Sequence, residues 1–235
     1  MRDRILPSAI VAAGLVLAAL IFGLLFKQAR GAQHTVSVTG SATQAFVSDV
    51  VKWRLVLSRS VADGGQTQGY TQLRDDAERL RERLRQVGIP DTALSMLPPT
   101  AQPMWGREGV RTGYTLQQPV FIISNSPALE QLALDPGAFT SAGTAVDQSQ
   151  LEYFYTDIAR LKHSLLGAAT RDAQRRAEEI ARSTGADVGG ILTARAGVFQ
   201  ITEPYSTEVS GMGMYNTSTR RKEITVTVHA SFALD

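Results

Sequence analysis

Cysteine is absent from the 235-residue chain, and this absence excludes disulfides, thiolate catalysis, iron–sulfur clusters and cysteine zinc sites. Histidine is scarce, because the chain contains only His34, His163 and His229. Their spacing is not that of a metal site. The sequence also contains no G-x-S-x-G, P-loop or H-E-x-x-H motif. We therefore expect a protein that is not an enzyme, with no catalytic, cofactor-binding or metal-binding residue to assign.

A basic surface is the second feature that the sequence lacks. Once the charges of residues 1–30 are set aside, residues 31–235 contain 20 basic and 21 acidic residues and have a net charge of −1. Nucleic-acid binding requires a clustered basic face, so we expect no nucleic-acid partner. The hydrophobic fraction of 43% and the charged fraction of 20% are instead typical of a folded globule.

Charged residues are also absent from residues 5–26. As a helix, this run would span about 33 Å, enough for a hydrocarbon core of about 30 Å. The alternative is a cleaved secretory signal, but the run exceeds the usual apolar region of about 7–15 residues, and the cleavage-like segment 29–31 contains an arginine. We therefore predict a membrane anchor in residues 1–30.

The topology of this anchor is predicted from its position in the chain, because the basic residues on its two sides nearly balance. A short N-terminal tail and a large C-terminal domain favour an inner-membrane protein with a cytoplasmic N-terminus. Residues 31–235 would then form one periplasmic or other extracytoplasmic domain.

Hydrophobic periodicity predicts the fold of that domain. The clearest alternation covers residues 224–234, which we expect to form a long, half-buried strand. Apolar steps of three and four residues predict long helices over 66–87 and 157–184. The order of strands and helices predicts an α+β fold, with a mostly antiparallel sheet and the two long helices packed on one face, preceded by one N-terminal transmembrane helix.

Three further expectations concern local structure. Residues 103–113 have the composition of a polar loop. Pro119 lies within the next predicted strand, residues 114–124, and a proline there predicts that this strand lies at a sheet edge or contains a bulge. Asp75 and Asp76 stand beside arginines on the first long helix, where surface salt bridges are the usual arrangement. We therefore expect both carboxylates on the solvent face.

Two groups of apolar residues are candidates for an interaction surface. Three consecutive aromatics place rings on both faces of one strand, whereas an internal strand would usually expose polar residues on one face. The loop 203–219 carries methionines and a tyrosine among small residues, and it could equally be disordered. The candidate oligomer interface comprises Tyr153, Phe154, Tyr155, Met212, Met214 and Tyr215.

Several short motifs also follow one another in a distinctive order. They are V-x-V-x-G at 36–40, D-V-V at 49–51, L-R-Q-V-G-I at 84–89, G-Y-T-L-Q at 113–117, F-Y-T-D at 154–157, a helix segment at 168–178, G-A-D-V-G-G-I at 185–191 and I-x-V-x-V-x-A-x-F-x-L at 224–234. In this order and spacing, the chain resembles the SIMPL domain family (DUF541) over nearly all of residues 34–235.

The resemblance implies an extracytoplasmic α+β domain. Members of the family include periplasmic and outer-membrane-associated immunogenic proteins, and some are linked to oxidative-stress defence. Some assemble into ring-like or channel-like homo-oligomers. The family has no recognised catalytic residues, so none is transferred to this chain. Many members have a cleavable signal, whereas residues 5–26 of this chain look like a permanent anchor.

Two functions of different classes therefore remain open at the level of sequence. The first is a membrane-anchored assembly protein whose partners are the membrane, through residues 5–26, and further copies of itself. The second is an extracytoplasmic module that binds a small ligand or a peptide in a cleft beside residues 203–219, although the sequence does not identify a ligand. An enzyme would require an acid–base pair, which the sequence does not provide.

Overall fold

A computed structural model describes residues 14–23 and 34–235. Residues 14–23 are helical. The remainder of the predicted membrane segment, residues 5–13 and 24–26, lies outside the described residues. Within the ranges that are described, no helix is both long enough and apolar enough to cross a membrane.

From residue 34 onward, strands and helices alternate in an α+β order, as predicted. The elements are β1 (Thr35–Val47), β2 (Val50–Ala62), α1 (Gln66–Gln86), β3 (Leu94–Met96), β4 (Thr100–Trp105), β5 (Arg111–Ser124), α2 (Ala128–Leu134), β6 (Thr144–Phe154), α3 (Ile158–Thr184), β7 (Val188–Ala196), β8 (Gln200–Thr202), β9 (Met214–Tyr215) and β10 (Arg221–Leu234). Short 3-10 turns cover Asp91–Ala93 and Pro136–Ala138.

The strands form two sheets, so the prediction of a single sheet is wrong. One sheet has the order β1-β10-β8-β9, and β7 also pairs with β10. The other has the order β3-β5-β2-β6, and β4 also pairs with β5. β2 pairs antiparallel with β5 and β6, whereas the short β8–β9 pair is parallel. Alternation in a sequence identifies strands but not their partners, which explains the error.

Contacts divide the chain into two compact units. Of the described residues, the smaller unit comprises those up to Gly40, together with Thr170–Arg195 and Val228–Asp235. The larger unit comprises Ser41–Ala169 and Ala196–Thr227.

Helix α1 and the β2–β5 sheet form the core of the larger unit. The middle of the predicted stripe of α1 is buried, whereas Tyr70 at its start is half-buried and Val87 just after α1 is exposed. The inward row of β2, which includes Trp53, is buried as well. The Trp53 indole donates to Ser149 Oγ (2.9 Å), which satisfies its polar atom inside the core. At Gly69, a Cβ atom would approach Leu116 Cδ1 to 2.5 Å, so a larger residue would require the Leu116 side chain to shift.

The smaller unit is built on small side chains. Ala173, Ala177 and Ala181 of α3 are buried, and alanine at these positions permits close packing. Its C-terminal residues are held by backbone hydrogen bonds, because Asp235 N–H donates to the carbonyl of Asp187 (3.0 Å) and Leu234 N–H to that of His34 (2.8 Å).

The region predicted as a polar loop, residues 103–113, is instead an extended hairpin. β4 pairs with the first half of β5, from Thr100 opposite Gln117 to Trp105 opposite Arg111. The turn between them covers only residues 106–110. β4 lies at a sheet edge and its side chains are mostly exposed, so it lacks the alternation that identifies a strand.

Pro119 lies in an inner strand, so the prediction of an edge position is wrong. β5 has β2 on one side and both β3 and β4 on the other. The carbonyl of Pro119 accepts from Leu97 N–H (3.0 Å), at the break between β3 and β4. Because a residue in an antiparallel strand directs its N–H and its carbonyl to the same neighbour, the missing N–H of Pro119 also faces this break.

Candidate functional site

The six residues of the predicted interface lie on two segments of the larger unit, the end of β6 and the region around β9. The rings of Phe154 and Tyr215 have centroids 6.3 Å apart. The backbone N–H of Tyr153 donates to the carbonyl of Thr217 (2.8 Å). The structure thus brings the two segments together, and their use as an interface stays a prediction.

The candidate residues differ in exposure. Met212 is 95% exposed and Tyr215 is 42% exposed. Phe154, Tyr155 and Met214 are half-buried. These five residues therefore offer a partner apolar side chains of graded exposure, from a fully solvated methionine to rings that are already partly packed.

Tyr153 differs from the other candidates because its side chain packs against the core of the larger unit. The Arg220 guanidinium lies 5.5 Å from its ring centroid, and Arg220 also donates to Glu130 (2.8 Å). Burial, together with a hydrogen bond to Glu130, raises the pKa of Tyr153. The Tyr153 side chain is therefore already engaged with the core and with Arg220 of its own chain.

Asp49 fixes the backbone just after β6. Its carboxylate accepts from the N–H of Thr156 (2.9 Å) and also from the Thr156 hydroxyl. Burial acts to raise the pKa of Asp49, but the hydrogen bonds from Thr156 act in the opposite direction and the net effect lowers it. The charged carboxylate thus holds the aromatic end of β6 in place.

Lys222 is a buried cation beneath this surface that the sequence analysis missed. Its side chain is 1% exposed, and Nζ donates to Ser48 Oγ (2.9 Å) and to the carbonyl of Tyr153 (2.5 Å). Nζ also lies 6.0 Å from the ring centroid of Tyr215. Desolvation by burial lowers the pKa of Lys222 from 10.5 to about 8.

A signal for Lys222 was present in the sequence. Lys222 is in phase with Ile224 and Val226, which form the inward row of β10. Successive residues of a strand alternate between its two faces, so a lysine two positions before a buried row is expected to point inward as well.

The buried amine predicts that stability rises with pH. The amine starts to lose its proton near pH 8 in the folded protein, but only near pH 10.5 in the unfolded chain. Between these values the unfolded chain binds more protons, so alkali favours the folded state. We expect the free energy of unfolding, measured by urea titration, to increase by about 1–2 kcal/mol between pH 7 and about 9.5.

Two lysine variants provide the controls for this measurement. Lys222→Met should remove the increase, whereas Lys52→Met, on strand β2 of the other sheet, should retain it. The titration stops below pH 10 because burial raises the pKa of both Tyr153 and Tyr215, and ionisation of these tyrosines favours the unfolded chain. An increase of the same size in the Lys222→Met protein would contradict the assignment.

An open groove of about 410 Å³ lies beside β9. Its apolar lining comes mainly from Phe199, Ile201, Met212 and Met214. Lys162 adds one positive charge, with Nζ 5.2 Å from the ring centroid of Phe199. The groove has the chemistry to hold an apolar group that carries an acid.

The histidines, for which no catalytic or metal-binding role is expected, do not form a cluster. Nδ1 of His229 lies 2.8 Å from the Thr39 hydroxyl, in the smaller unit, whereas His163 belongs to α3. Among residues 14–23 and 34–235, no three or more histidine or acidic side chains are grouped in a way that could hold a metal ion.

The family described as "SIMPL: Protein of unknown function (DUF541)" matches residues 36–232. The match covers most of the chain, and the protein belongs to this family. No curated protein is significantly similar to it in sequence.

Proposed function

We propose that this SIMPL-domain protein is anchored in the inner membrane by residues 5–26 and assembles outside the cytoplasm into a closed, ring-like or channel-like homo-oligomer. The protein acts through this assembly rather than through catalysis, in envelope or oxidative-stress defence. The observation that carries the proposal is the exposure of Tyr205 (93%), Val209 (82%) and Met212 (95%) between β8 and β9. Large apolar side chains presented together in this way mark interaction surfaces.

The backbone of this segment supports an interface rather than a disordered loop. The Gln200 amide donates to the carbonyl of Ser210 (2.6 Å) and accepts from its N–H (3.3 Å), so the segment is closed at its base. Tyr205 adopts φ of 64°, which is unfavourable for a bulky side chain. Strain of this kind is typical of sites where the backbone serves a function.

The anchor restricts the geometry of the assembly. Residues 27–33 connect the apolar run to the first strand and can extend by at most about 3.3–3.6 Å per residue. The domain is therefore held within roughly 25 Å of the bilayer. Every copy must reach the same membrane, and a cyclic arrangement places all anchors on one side.

Light scattering of the full chain in detergent tests the proposal. We expect light scattering to show one defined oligomer. We expect the intact mass of the purified chain, measured by mass spectrometry, to include residues 1–30. A Tyr205→Ser/Met212→Ser double variant should dissociate at concentrations at least about tenfold higher than the unaltered protein, because two exposed apolar contacts are removed. Leu134→Ser is the control, since Leu134 is also exposed but lies on α2.

Three outcomes would contradict parts of this proposal. A monomeric full chain would remove the oligomer. An unchanged oligomer in the double variant would exclude the segment between β8 and β9 from the interface. A mass that lacks the first 25–32 residues would replace the anchor with a cleaved signal.

A second candidate function rests on the groove beside β9. In this function the domain is a monomeric binding module for a small ligand or a peptide, and Lys162 pairs with its carboxylate. Nuclear magnetic resonance titration with short apolar peptides separates the two functions. Saturable shifts at Phe199 and Met214 in a monomeric protein would favour the binding module.

A further inference from the structure

The β4–β5 hairpin presents an exposed aromatic residue at its tip. Trp105 and Val110 flank the turn, and each is 63% exposed. The turn is nonetheless well defined, because Gly106 N–H donates to the carbonyl of Val110 (2.8 Å). A rigid hairpin that exposes an indole has the form of a binding element, since tryptophan is enriched among residues that dominate interfaces.

The β5 arm of the hairpin is fixed to the rest of the larger unit just beside the turn. Arg111, which lies opposite Trp105, forms a two-pronged ion pair with Asp63, with Nε–Oδ1 and Nη2–Oδ2 distances of 3.1 Å. The same guanidinium lies 5.0 Å from the ring centroid of Tyr114. These contacts restrain the β5 arm, while the indole of Trp105 on the β4 arm stays in solvent and is available to a partner.

A groove of about 590 Å³ lies elsewhere in the larger unit, between α1 and the β3–β4 connection. Tyr70, Leu73 and Ala77 form its helical side, and Met96 and Pro99 form its other side. This volume is in the range of sites that hold one large apolar group.

The charges at the groove and at the hairpin tip are complementary. Arg74 and Glu78 also line the groove, one helical turn apart. The tip carries Arg107 and Glu108, both exposed. Arg107 can therefore pair with Glu78 while Glu108 pairs with Arg74. The present partners of the groove residues are Asp75, which is exposed, and Arg81, which is half-buried, both on the same helix, and ion pairs at the surface exchange at little free-energy cost.

A hairpin cannot fill the groove of its own copy. Pro99 lies in the groove, and the paired strand β4 carries the chain away from it for six residues, or roughly 20 Å. Trp105 is accordingly exposed within its own chain. The occupant must come from another molecule, and a second copy supplies both the indole and the matching charges.

We propose that the β4–β5 hairpin tip of one copy inserts Trp105 into the groove between α1 and the β3–β4 connection of the next copy. This inference rests on the proposed homo-oligomer and gives it a head-to-tail contact. Such a contact uses two different surfaces of each copy, and it closes into a ring when the rotation between copies divides a full turn. The tip alone is smaller than a stable interface of about 1,200–2,000 Å², so it acts together with the segment between β8 and β9.

The absence of cysteine permits a direct test by thiol cross-linking, because introduced thiols have no native competitor. Full-length Glu78→Cys and Arg107→Cys proteins are mixed in detergent and treated with a short bifunctional thiol reagent, because the Cβ atoms of a paired Arg and Glu lie farther apart than the roughly 3.5–4.5 Å that a disulfide requires. We expect a cross-linked dimer that requires both variants. Glu179→Cys, an exposed glutamate on α3, replaces Glu78→Cys in the control and should give no such dimer.

Two further variants test the chemistry of the contact. Trp105→Ser, introduced into the Arg107→Cys protein, should lower the cross-linked fraction at least about fivefold, because the inserted indole is lost. In a light-scattering experiment, Glu78→Arg should weaken the oligomer and Arg107→Glu introduced with it should restore the size, because the pair is then reversed.

The outcomes separate this inference from the proposed function. The hairpin contact is overturned if the oligomer keeps its size but the mixed dimer does not form. It is also overturned if Trp105→Ser leaves the cross-linked fraction unaltered. In both cases the homo-oligomer itself is not contradicted. A monomeric unaltered chain overturns the proposed function and the hairpin contact with it.

Discussion

Truncation of the chain after Thr219 is expected to abolish cooperative unfolding. The truncation removes β10, which lies inside its sheet between β1 on one side and β7 and β8 on the other. The loss therefore leaves hydrogen-bonding edges unpaired on both sides. The removed strand also carries large side chains that are at most 4% exposed, namely Ile224, Val226, Val228 and Phe232.

The size of this effect follows from the buried surface. Burial of a large apolar side chain stabilises a fold by about 1.5–3 kcal/mol, so four of them contribute about 6–12 kcal/mol. Natural domains are stable by about 5–15 kcal/mol in total. Calorimetry should therefore show no cooperative transition for the truncated protein. A transition near the melting temperature of the full chain would contradict the expectation.

Two point variants provide a milder version of the same experiment. Val226→Asp places a carboxylate in the inward row of β10, where it has no water, and should lower the free energy of unfolding by several kcal/mol. His229→Asp changes an exposed position of the same strand and should have an effect below about 1 kcal/mol. Equal effects would show that the faces of β10 are assigned incorrectly.

The long amphipathic elements of this protein could be predicted from the sequence. The apolar stripe of α1 repeats over three or more helical turns, and the alternation of β10 repeats over three or more two-residue steps. The buried face of each element is therefore determined by many residues at once. The predicted helix over 66–87 corresponds to α1, and the predicted strand over 224–234 corresponds to β10. Periodicity of this length is not easily overridden by tertiary contacts.

The elements that the sequence did not predict depend on contacts between distant residues. Trp105 lies in a strand because β4 pairs with β5, although β4 buries almost nothing of its own. The candidate interface also depends on contacts between residues that are distant in the sequence. Met212 and Tyr215 are visible as exposed apolar residues in a loop, but the position of Lys222 beneath Tyr215 depends on the end of β6, about 70 residues earlier.

Asp76 is the clearest case in which tertiary contacts reverse the expectation. The prediction of a solvent-facing Asp75–Asp76 pair is correct for Asp75, whose side chain is half exposed, but wrong for Asp76, which is 0% exposed. The carboxylate of Asp76 accepts from the backbone N–H of Ser141 (3.0 Å) and from the hydroxyl of Thr144 (2.5 Å). It therefore joins α1 to the segment that leads into β6.

The same hydroxyls connect Asp76 to a buried cation. Arg59 of β2 is 8% exposed and donates to the Thr144 hydroxyl (3.1 Å) and to the Ser141 hydroxyl (2.9 Å). Both hydroxyls in turn contact Asp76. Asp76 thus lies between two cations, because Arg79 pairs with its carboxylate directly and Arg59 shares the Ser141 and Thr144 hydroxyls with it.

Asp76→Ala should accordingly destabilise the protein by about 3 kcal/mol. The substitution leaves the Ser141 N–H without its acceptor, breaks the ion pair with Arg79 and removes the negative charge near the buried Arg59 guanidinium. Asp75→Ala, one residue away on the exposed side of α1, should change the free energy of unfolding by less than about 0.5 kcal/mol. Asp76→Asn retains the side-chain volume and should give an intermediate loss.

Hydrogen exchange distinguishes this network from a simple loss of helix stability. If Asp76 holds the segment 138–144 against α1, the amide of Ser141 should lose protection in Asp76→Ala while amides in the middle of α1 keep theirs. Uniform loss of protection along α1 would mean instead that the carboxylate stabilises the helix itself. The segment-specific result follows from the geometry, because the Asp76 carboxylate contacts Ser141 and Thr144 across 65 or more residues of chain, whereas within α1 its side-chain partner is Arg79.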